Sequence, residues 1–359
     1  VAEELEQLIV DARQCHALPL LFHVLGKDNI LIPQSVVSLS RTQYFQNYLT
    51  ATLLLRELKN VLGSLAERDI EVIVLKGAAL ATTLYPNLGL RPMRDIDLLV
   101  HQEELAQVIE ILDALGYQSY PPPARHGIEK FQGEVSCVKD GEFPIVIEPH
   151  WTLGPAYPYS GRIKAEGLWH RARRLDLAGT DTLVLCPEDC LLHLCLHLFH
   201  HRRQSYWLIS ACDMVELIRH YQGDLDWKAF LNRALEFGLC LPVQYSLKRN
   251  FELLHSPIPD FVFDELSSYE PGRFESRLFA LLSSPNAAVG VGNLSKLLTI
   301  PGLRQKLRYL SSILFPSKEW LRSYYSGSNS SLLGLYGVHA KNVFLTGPKV
   351  LFTFAFKQK

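Results

Sequence analysis

The sequence predicts an α+β chain: a small mixed sheet with its own helices, flanked by helices and followed by an all-helical C-terminal half. Three observations predict it. Between Val72 and Val100 two apolar strand patterns frame a glycine turn and a short helix. Between Lys130 and Glu148 two more strand patterns meet at Asp140-Gly141, a hairpin turn signal. After about Leu183 strand patterning stops, and helical segments opened by prolines follow one another. On this reading residues 1–70 are an N-terminal helical segment, 71–182 the core, 183–322 a helical domain and 323–359 a C-terminal tail.

Each element has a local reason. Leu5, Leu8 and Ile9 give Val1 to Arg13 helical spacing, and Pro19 and Pro33 bracket a stretch expected to be irregular. From Arg41 to Arg68, apolar residues from Tyr44 to Leu65 recur at threes and fours, which predicts one long amphipathic helix. The run Val72 to Leu75 is a strand, Ala78 to Tyr85 a short helix, and Asp95 to Val100 a second strand. Gln102 to Leu115 is a helix stopped by Gly116. Tyr117 to Tyr120 is a short strand, broken by Pro121-Pro122-Pro123, before the hairpin of Lys130 to Val138 with Pro144 to Glu148. Pro187 opens the first helix of the second half, where its missing N–H costs nothing. Helices are expected over Leu208 to Tyr221, Trp227 to Phe237, Pro242 to Leu254 and Pro259 to Leu266. A helical tail over Glu275 to Arg322 breaks at Pro285, Pro301 and Pro316, before a polar loop at Ser326 to Ser331.

Composition narrows the function classes. With 48% hydrophobic and 20% charged residues in 359, the chain matches soluble globular proteins with room for two packed units. A formal net charge of -1 argues against a long nucleic acid as partner, because that binding is dominated by phosphate neutralisation. The seven cysteines include no Cys-x-x-Cys, which fits a reduced, cytoplasmic protein. No apolar run reaches the ~20 residues that span a bilayer, so no membrane partner is expected.

The chemistry concentrates around Arg91-Pro-Met-Arg-Asp-Ile-Asp-Leu-Leu-Val100. Strand side chains alternate faces, so Asp95 and Asp97 point the same way. Two adjacent carboxylates repel unless a cation lies between them, and a divalent metal is the natural third party. Glu148, ending the apolar strand Ile145-Val-Ile, can face the same site. The glycine-led helix start at Gly77 and Ala78 offers free N–H groups to phosphate, with Lys76, Arg91 and Arg94 as positive counterparts. His150 and Trp151 follow the third acid and are candidates for contacting substrate. His193, His197, His200 and His201 share one helix face, which is expected to pack against the core with one or two histidines in the cleft. His197 is one of these. A zinc site is the lesser reading, since such sites draw ligands from more than one element. The basic residues Arg162, Lys164, His170, Arg171, Arg173 and Arg174 read as a solvated face between the halves.

These motifs resemble the DNA polymerase β-like nucleotidyltransferase superfamily. They are most similar to its uncharacterised bacterial nucleotidyltransferase family, a branch found in natural-product gene clusters. The resemblance lies in Leu75-Lys-Gly-Ala-Ala-Leu80, the Asp95-Ile-Asp97 strand, Glu148-Pro-His-Trp151 and Pro187-Glu-Asp189, and runs from about Leu49 to Trp320. It implies a polymerase β-like core and two Mg²⁺ (or Mn²⁺) ions held by Asp95, Asp97 and Glu148. It also implies a nucleotide donor at the glycine turn, a small-molecule or peptide acceptor, and a polar contact between Asp213 and the histidine face of the helix that Pro187 opens. Glu148 would both bind metal and activate the acceptor hydroxyl. Two departures stand out. Ala78 replaces the usual Ser or Gly, which keeps a nucleotide-sugar donor open beside a nucleoside triphosphate. Pro149 replaces an aliphatic residue, which predicts that this strand end is an edge or a bulge. A non-catalytic nucleotide-binding or toxin–antitoxin module is the remaining alternative.

Overall fold

The computed structural model describes residues 2–25, 33–120, 133–153, 159, 162–177, 179–284, 291–300, 302–325 and 331–343. The triple proline at 121–123, the breaks at Pro285 and Pro301, and most of the polar loop before Ser331 lie outside the described residues.

The N-terminal segment forms α1 (Ala2–Gln14), α2 (Leu18–Leu25) and α3 (Gln34–Ala66). Pro19 therefore does not open an irregular stretch. It sits in the first turn of α2, where its missing N–H is harmless. The sharp corner between α1 and α2 is satisfied by α3. Gln43 accepts from the Leu18 N–H and donates to the Arg13 carbonyl, and Asn47 donates to the His16 carbonyl.

A single mixed sheet follows. Its strands are β1 (Ile73–Val74), β2 (Asp95–Leu99), β3 (Gln118–Tyr120), β4 (Ser136–Lys139), β5 (Ile145–His150), β6 (Arg173–Asp176) and β7 (Asp181–Val184). They stand in the order β3-β4-β5-β2-β1-β7-β6. β2 pairs antiparallel with β1 and parallel with β5, and β4 and β5 form the expected antiparallel hairpin. Between the strands run α4 (Lys76–Thr83), α5 (Leu105–Ala114) and α6 (Ala165–Arg171).

Two expectations need correction here. β5 is neither an edge nor bulged: it lies between β2 and β4. Pro149 is tolerated because it pairs fully on one side only. Its carbonyl accepts from the Val135 N–H, so only the return bond from its own nitrogen is lost, and pairing resumes beyond it with Glu134 opposite His150 and the Trp151 N–H on the Gly133 carbonyl. The basic stretch between the halves is not merely a solvated face. It forms α6 and β6, and β6 is the edge strand of the sheet, paired antiparallel to β7. Its charged residues concealed a strand because an edge strand buries little and tolerates charge.

Each face of the sheet has its own core. Val74, Ile96, Leu98 and Ile147 pack with Leu54, Leu58 and Leu65 of α3 and with Val108 and Leu112 of α5. Ile73, Leu75, Leu99 and Leu185 belong to the opposite core. That core is built from α1, α2 and the helices α7 (Pro187–His201), α8 (Trp207–His220), α9 (Trp227–Glu236) and α10 (Cys240–Leu254). Further helices continue the chain: α11 (Asp260–Ser267), α12 (Arg273–Ser283), α13 (Val291–Thr299), α14 (Leu303–Leu314) and α15 (Lys318–Tyr324). No helix among the described residues is long and apolar enough to cross a membrane.

The Pro187-Glu188-Asp189 start of α7 has a structural reason. Asp189 is fully buried and accepts from Arg171 of α6 at 2.8 Å and from Arg233 of α9 at 3.1 Å. Glu188 accepts from the backbone N–H of Asp226, whose side chain caps α9 through the Ala229 N–H. One helix start thus fastens two neighbours. Removing the carboxylate strands two cations at a buried junction. Asp189→Ala is expected to cost about 3–5 kcal/mol in urea denaturation, against less than about 1 kcal/mol for Glu166→Ala, whose pairing with His170 is exposed on both sides.

Candidate active site

The register of β2 on β5 sets the site. Asp95 lies opposite Val146, Asp97 opposite Glu148, and Leu99 opposite His150. Alternation sends Ile96, Leu98 and Ile147 into the α3 side, so Asp95, Asp97, Glu148 and His150 share the face towards α7 and α8. Between that face and the helices lies a cleft of about 360 Å³. Its acidic wall is Asp95, Asp97, Glu134 and Glu148, and its facing wall includes His197, His201 and Tyr206.

Asp97 is the centre of the charge pattern. It is 2% exposed, and its Oδ1 lies 2.8 Å from Lys76 Nζ and 2.9 Å from His150 Nε2. Burial alone would raise its pKa, but the Lys76 ammonium and the His150 hydrogen bond outweigh it and hold the carboxyl well below the usual range. Asp95 goes the other way: burial and the neighbouring Asp97 push it up to about 6. Glu148 is raised as well, by burial and by Asp97 and Glu134, while Ser136 Oγ donates to its Oε1 at 2.8 Å. Burial disfavours the charged forms of Lys76 and His150, but the surrounding carboxylates raise both.

The turn before α4 holds a difference from expectation. The residue in the left-handed region is Lys76, at φ 32°, rather than Gly77. Gly77 eases a close approach: a Cβ there would lie 3.2 Å from the Arg91 guanidinium, which would have to give by a few tenths of an ångström. The next residue, Ala78, is 1% exposed and packs in the α3-side core, not in the cleft lining.

The two arginines are placed differently. Arg91 is buried and donates through Nε and Nη2 to Asp213 of α8, at 3.1 and 2.8 Å, while Tyr85 donates to the same carboxylate. Asp213 therefore meets the core, not the histidine face as the sequence suggested. Arg94 stacks its guanidinium 4.6 Å from the Tyr206 ring centroid and donates to the Tyr206 hydroxyl. His197 lines the cleft with Nδ1 2.7 Å from Ser210 Oγ, and burial together with Lys76 keeps its pKa far below the ordinary value. Trp151 is half-buried beside the cleft and does not line it.

The sequence reading missed Glu134, Ser136 and Tyr206. Glu134 Oε2 lies 3.2 Å from His150 Nδ1. The signal was available: extending the hairpin register from Cys137 opposite Ile147 puts Glu134 opposite His150. Tyr206 had no such signal, because its place depends on how α8 packs on the sheet.

The family model described as an uncharacterised nucleotidyltransferase matches residues 2–255. The chain belongs to this nucleotidyltransferase family. Two solved structures are similar. One is an antigenic nucleotidyltransferase-like protein from Paracoccidioides brasiliensis, 14% identical, with the match covering 60% of this chain and 96% of that one at a TM-score of 0.39. The other is the antibiotic-resistance factor ANT(2'')-Ia, 14% identical, covering 57% and 96%, at a TM-score of 0.34. No curated protein matches the chain.

Nucleotidyltransferases generally use divalent metals, and the residues of this member fit one. Among the described residues, ligand atoms of Asp97, Glu148 and His150 lie within 4.8 Å of one another. The α7 histidines form no such group. Hard carboxylate oxygens suit Mg²⁺ or Mn²⁺, and the imidazole adds a nitrogen that Mn²⁺ accepts more readily.

Behind the cleft, His193 is 1% exposed and neither ring nitrogen has a hydrogen-bond partner. Burial, reinforced by Lys76, holds its pKa well below the ordinary 6.5. Between the folded and ordinary values the unfolded chain takes up a proton that the folded chain refuses. Stability from this site is therefore present above pH ~6.5 and falls as pH drops below it. His193→Leu is expected to gain on the unmodified chain by up to about 2 kcal/mol between pH ~7 and ~5, measured by urea denaturation across that range.

Proposed function

We propose that the protein transfers a nucleoside monophosphate from a nucleoside triphosphate to a hydroxyl or phosphate of a small molecule or peptide. The observation that carries this reading is the parallel register placing Asp97 opposite Glu148, with Asp95 two residues along the same face of one cleft. Family membership supports a nucleotide donor and an acceptor.

In this proposal Asp95, Asp97 and Glu148 hold two divalent ions, Mg²⁺ or Mn²⁺, with His150 beside them. The ions would supply charge to the attacking and leaving oxygens of an in-line displacement. The acceptor oxygen attacks the α-phosphorus, a new P–O bond forms, and the bond to the leaving pyrophosphate breaks. The acceptor proton would pass to the Glu148 carboxylate, which lines the same cleft. The N–H groups at the start of α4 and Lys76 face the donor's phosphates. Arg91 acts indirectly, because its charge is committed to Asp213. His197 and Tyr206 line the opposite wall, Arg94 reaches across to Tyr206, and together they position the donor base or the acceptor. The rest of the chemistry is positioning and electrostatics.

A nucleotide-sugar donor, with a phosphorylated peptide or natural product as acceptor, is the second reading. Its sequence support was the missing hydroxyl at Ala78, and the burial of that residue in the α3-side core removes much of it. A cytoplasmic setting is supported by the cysteines, all seven of which are free and buried.

Asp97→Asn is expected to lower turnover at least ~10³-fold and to abolish the thermal shift produced by ATP, CTP, GTP or UTP with Mg²⁺. Stabilisation of the unmodified chain by UDP-sugars but by none of the four triphosphates would overturn the triphosphate reading. Unchanged metal and nucleotide binding in the double variant Asp95→Asn, Asp97→Asn would overturn the catalytic site altogether.

A further inference from the structure

Lys76 is the least ordinary residue in the cleft. Its backbone sits at φ 32°, a region that L-residues other than Asn and Asp seldom adopt. Strain of this kind persists where the surroundings over-determine it, and it concentrates at functional sites. The side chain is 13% exposed and its Nζ lies 2.8 Å from Asp97 Oδ1. The same oxygen is 2.9 Å from His150 Nε2, so one carboxylate oxygen already serves two N–H donors. It is also one of the ligand atoms that converge with Glu148 and His150.

We infer that Lys76 and a divalent cation compete for Oδ1 of Asp97, and that the displaced ammonium turns to the donor's phosphate at the Gly77 turn. Lys76 is thus a positioning residue whose charge is exchanged between carboxylate and phosphate. The inference rests on the metal-dependent reading above.

Four features favour Lys76 over the other cations of the cleft. Arg91 cannot leave Asp213 without stranding a fully buried carboxylate, and it holds that group with a two-armed fork. Arg94 is stacked on Tyr206 across the cleft mouth. Lysine, by contrast, is a point charge on a flexible four-carbon stem, able to swing between two anions that a planar fork could not both serve. Lys76 is also the first residue of α4, so a short movement of Nζ carries it from Asp97 to the free N–H groups of that helix start. A cation arriving at Asp97 compensates the carboxylate as the ammonium departs, and the arriving phosphate compensates the ammonium. At no stage is a buried charge left alone.

The exchange gives Lys76 effects of opposite sign on two ligands. The test uses the full chain and reads Mn²⁺ binding without nucleotide, from the electron paramagnetic resonance signal of free Mn²⁺. Lys76→Met removes the competing charge and is expected to tighten Mn²⁺ at least ~10-fold. Inorganic tripolyphosphate, titrated at saturating Mn²⁺ as a probe without a base, is expected to bind at least ~10-fold more weakly to the same variant. Lys76→Gln keeps an N–H donor for Asp97, folds even if Met does not, and should shift both affinities in the same directions. If the unmodified chain binds Mn²⁺ and neither variant binds it more tightly, the competition is wrong while the metal site stands. If Mn²⁺ tightens but tripolyphosphate affinity is unchanged, the transfer to phosphate is wrong. If no form binds Mn²⁺, the metal-dependent reading falls, and the exchange with it.

Discussion

The structure depends on one carboxylate that cannot stand alone. Asp97 is 2% exposed in the middle of β2, in a layer where an unpaired charge would cost several kcal/mol. Every unusual feature nearby answers that constraint. Lys76 adopts a left-handed backbone that brings its ammonium to Oδ1. His150 enters the same core face two residues after Glu148 and points its Nε2 at the same oxygen. Glu134 then lies on the far nitrogen of His150, extending the chain of charges to the cleft rim. A carboxylate so compensated stays ionised, which is the state a metal or a positioned cation requires.

Division of labour between the sheet faces follows from the same strand. Because β2 alternates, Ile96 and Leu98 anchor it to α3 and α5 while Asp95 and Asp97 open onto the helical half. The α3 side is an apolar core. The other side has its own apolar core around Ile73, Leu75 and Leu99, and beside the acids it adds polar ties. Arg91 joins the loop before β2 to Asp213 of α8, and Arg94 joins it to Tyr206 at the start of the same helix. These two contacts fix the distance between the acidic wall and the histidine wall. In the proposed reaction that spacing, more than any single side chain, determines what fits between donor phosphate and acceptor.

Local features of the sequence foretold the site better than its long-range partners. Asp95 and Asp97 were legible because a period of two is a local property, and Glu148 because it ends an apolar strand. The long helix α3, the β4–β5 hairpin and the α7 start were legible for the same kind of reason. What could not be read was pairing at a distance. Arg91 looked free for phosphate, yet its partner Asp213 is more than a hundred residues away. Pro149 suggested an edge because proline lacks a donor, but only the tertiary register reveals that a single bond is lost there and that the strand is paired on both sides. β6 escaped because Arg173-Arg174-Leu175-Asp176 buries little, and its strand character comes from the neighbour it pairs with.

Ala78 shows how a motif can mislead when position is read without orientation. In the sequence it stands where a hydroxyl would grip a phosphate, so its methyl reads as a lost contact. In the fold that methyl points into the α3-side core with Val74 and Met93, and a hydroxyl in the same orientation would be buried away from the cleft. The grip on phosphate would then rest on backbone N–H groups and on a cation, both indifferent to whether the chain of phosphates ends in a γ-phosphate or a sugar. In the proposed reaction, donor choice would then fall to the opposite wall. There His197, fixed by Ser210, and Tyr206, stacked under Arg94, present flat surfaces and single hydrogen-bonding atoms. Those are groups that distinguish a base or a sugar ring by shape and by pairing, which a phosphate-binding turn cannot do.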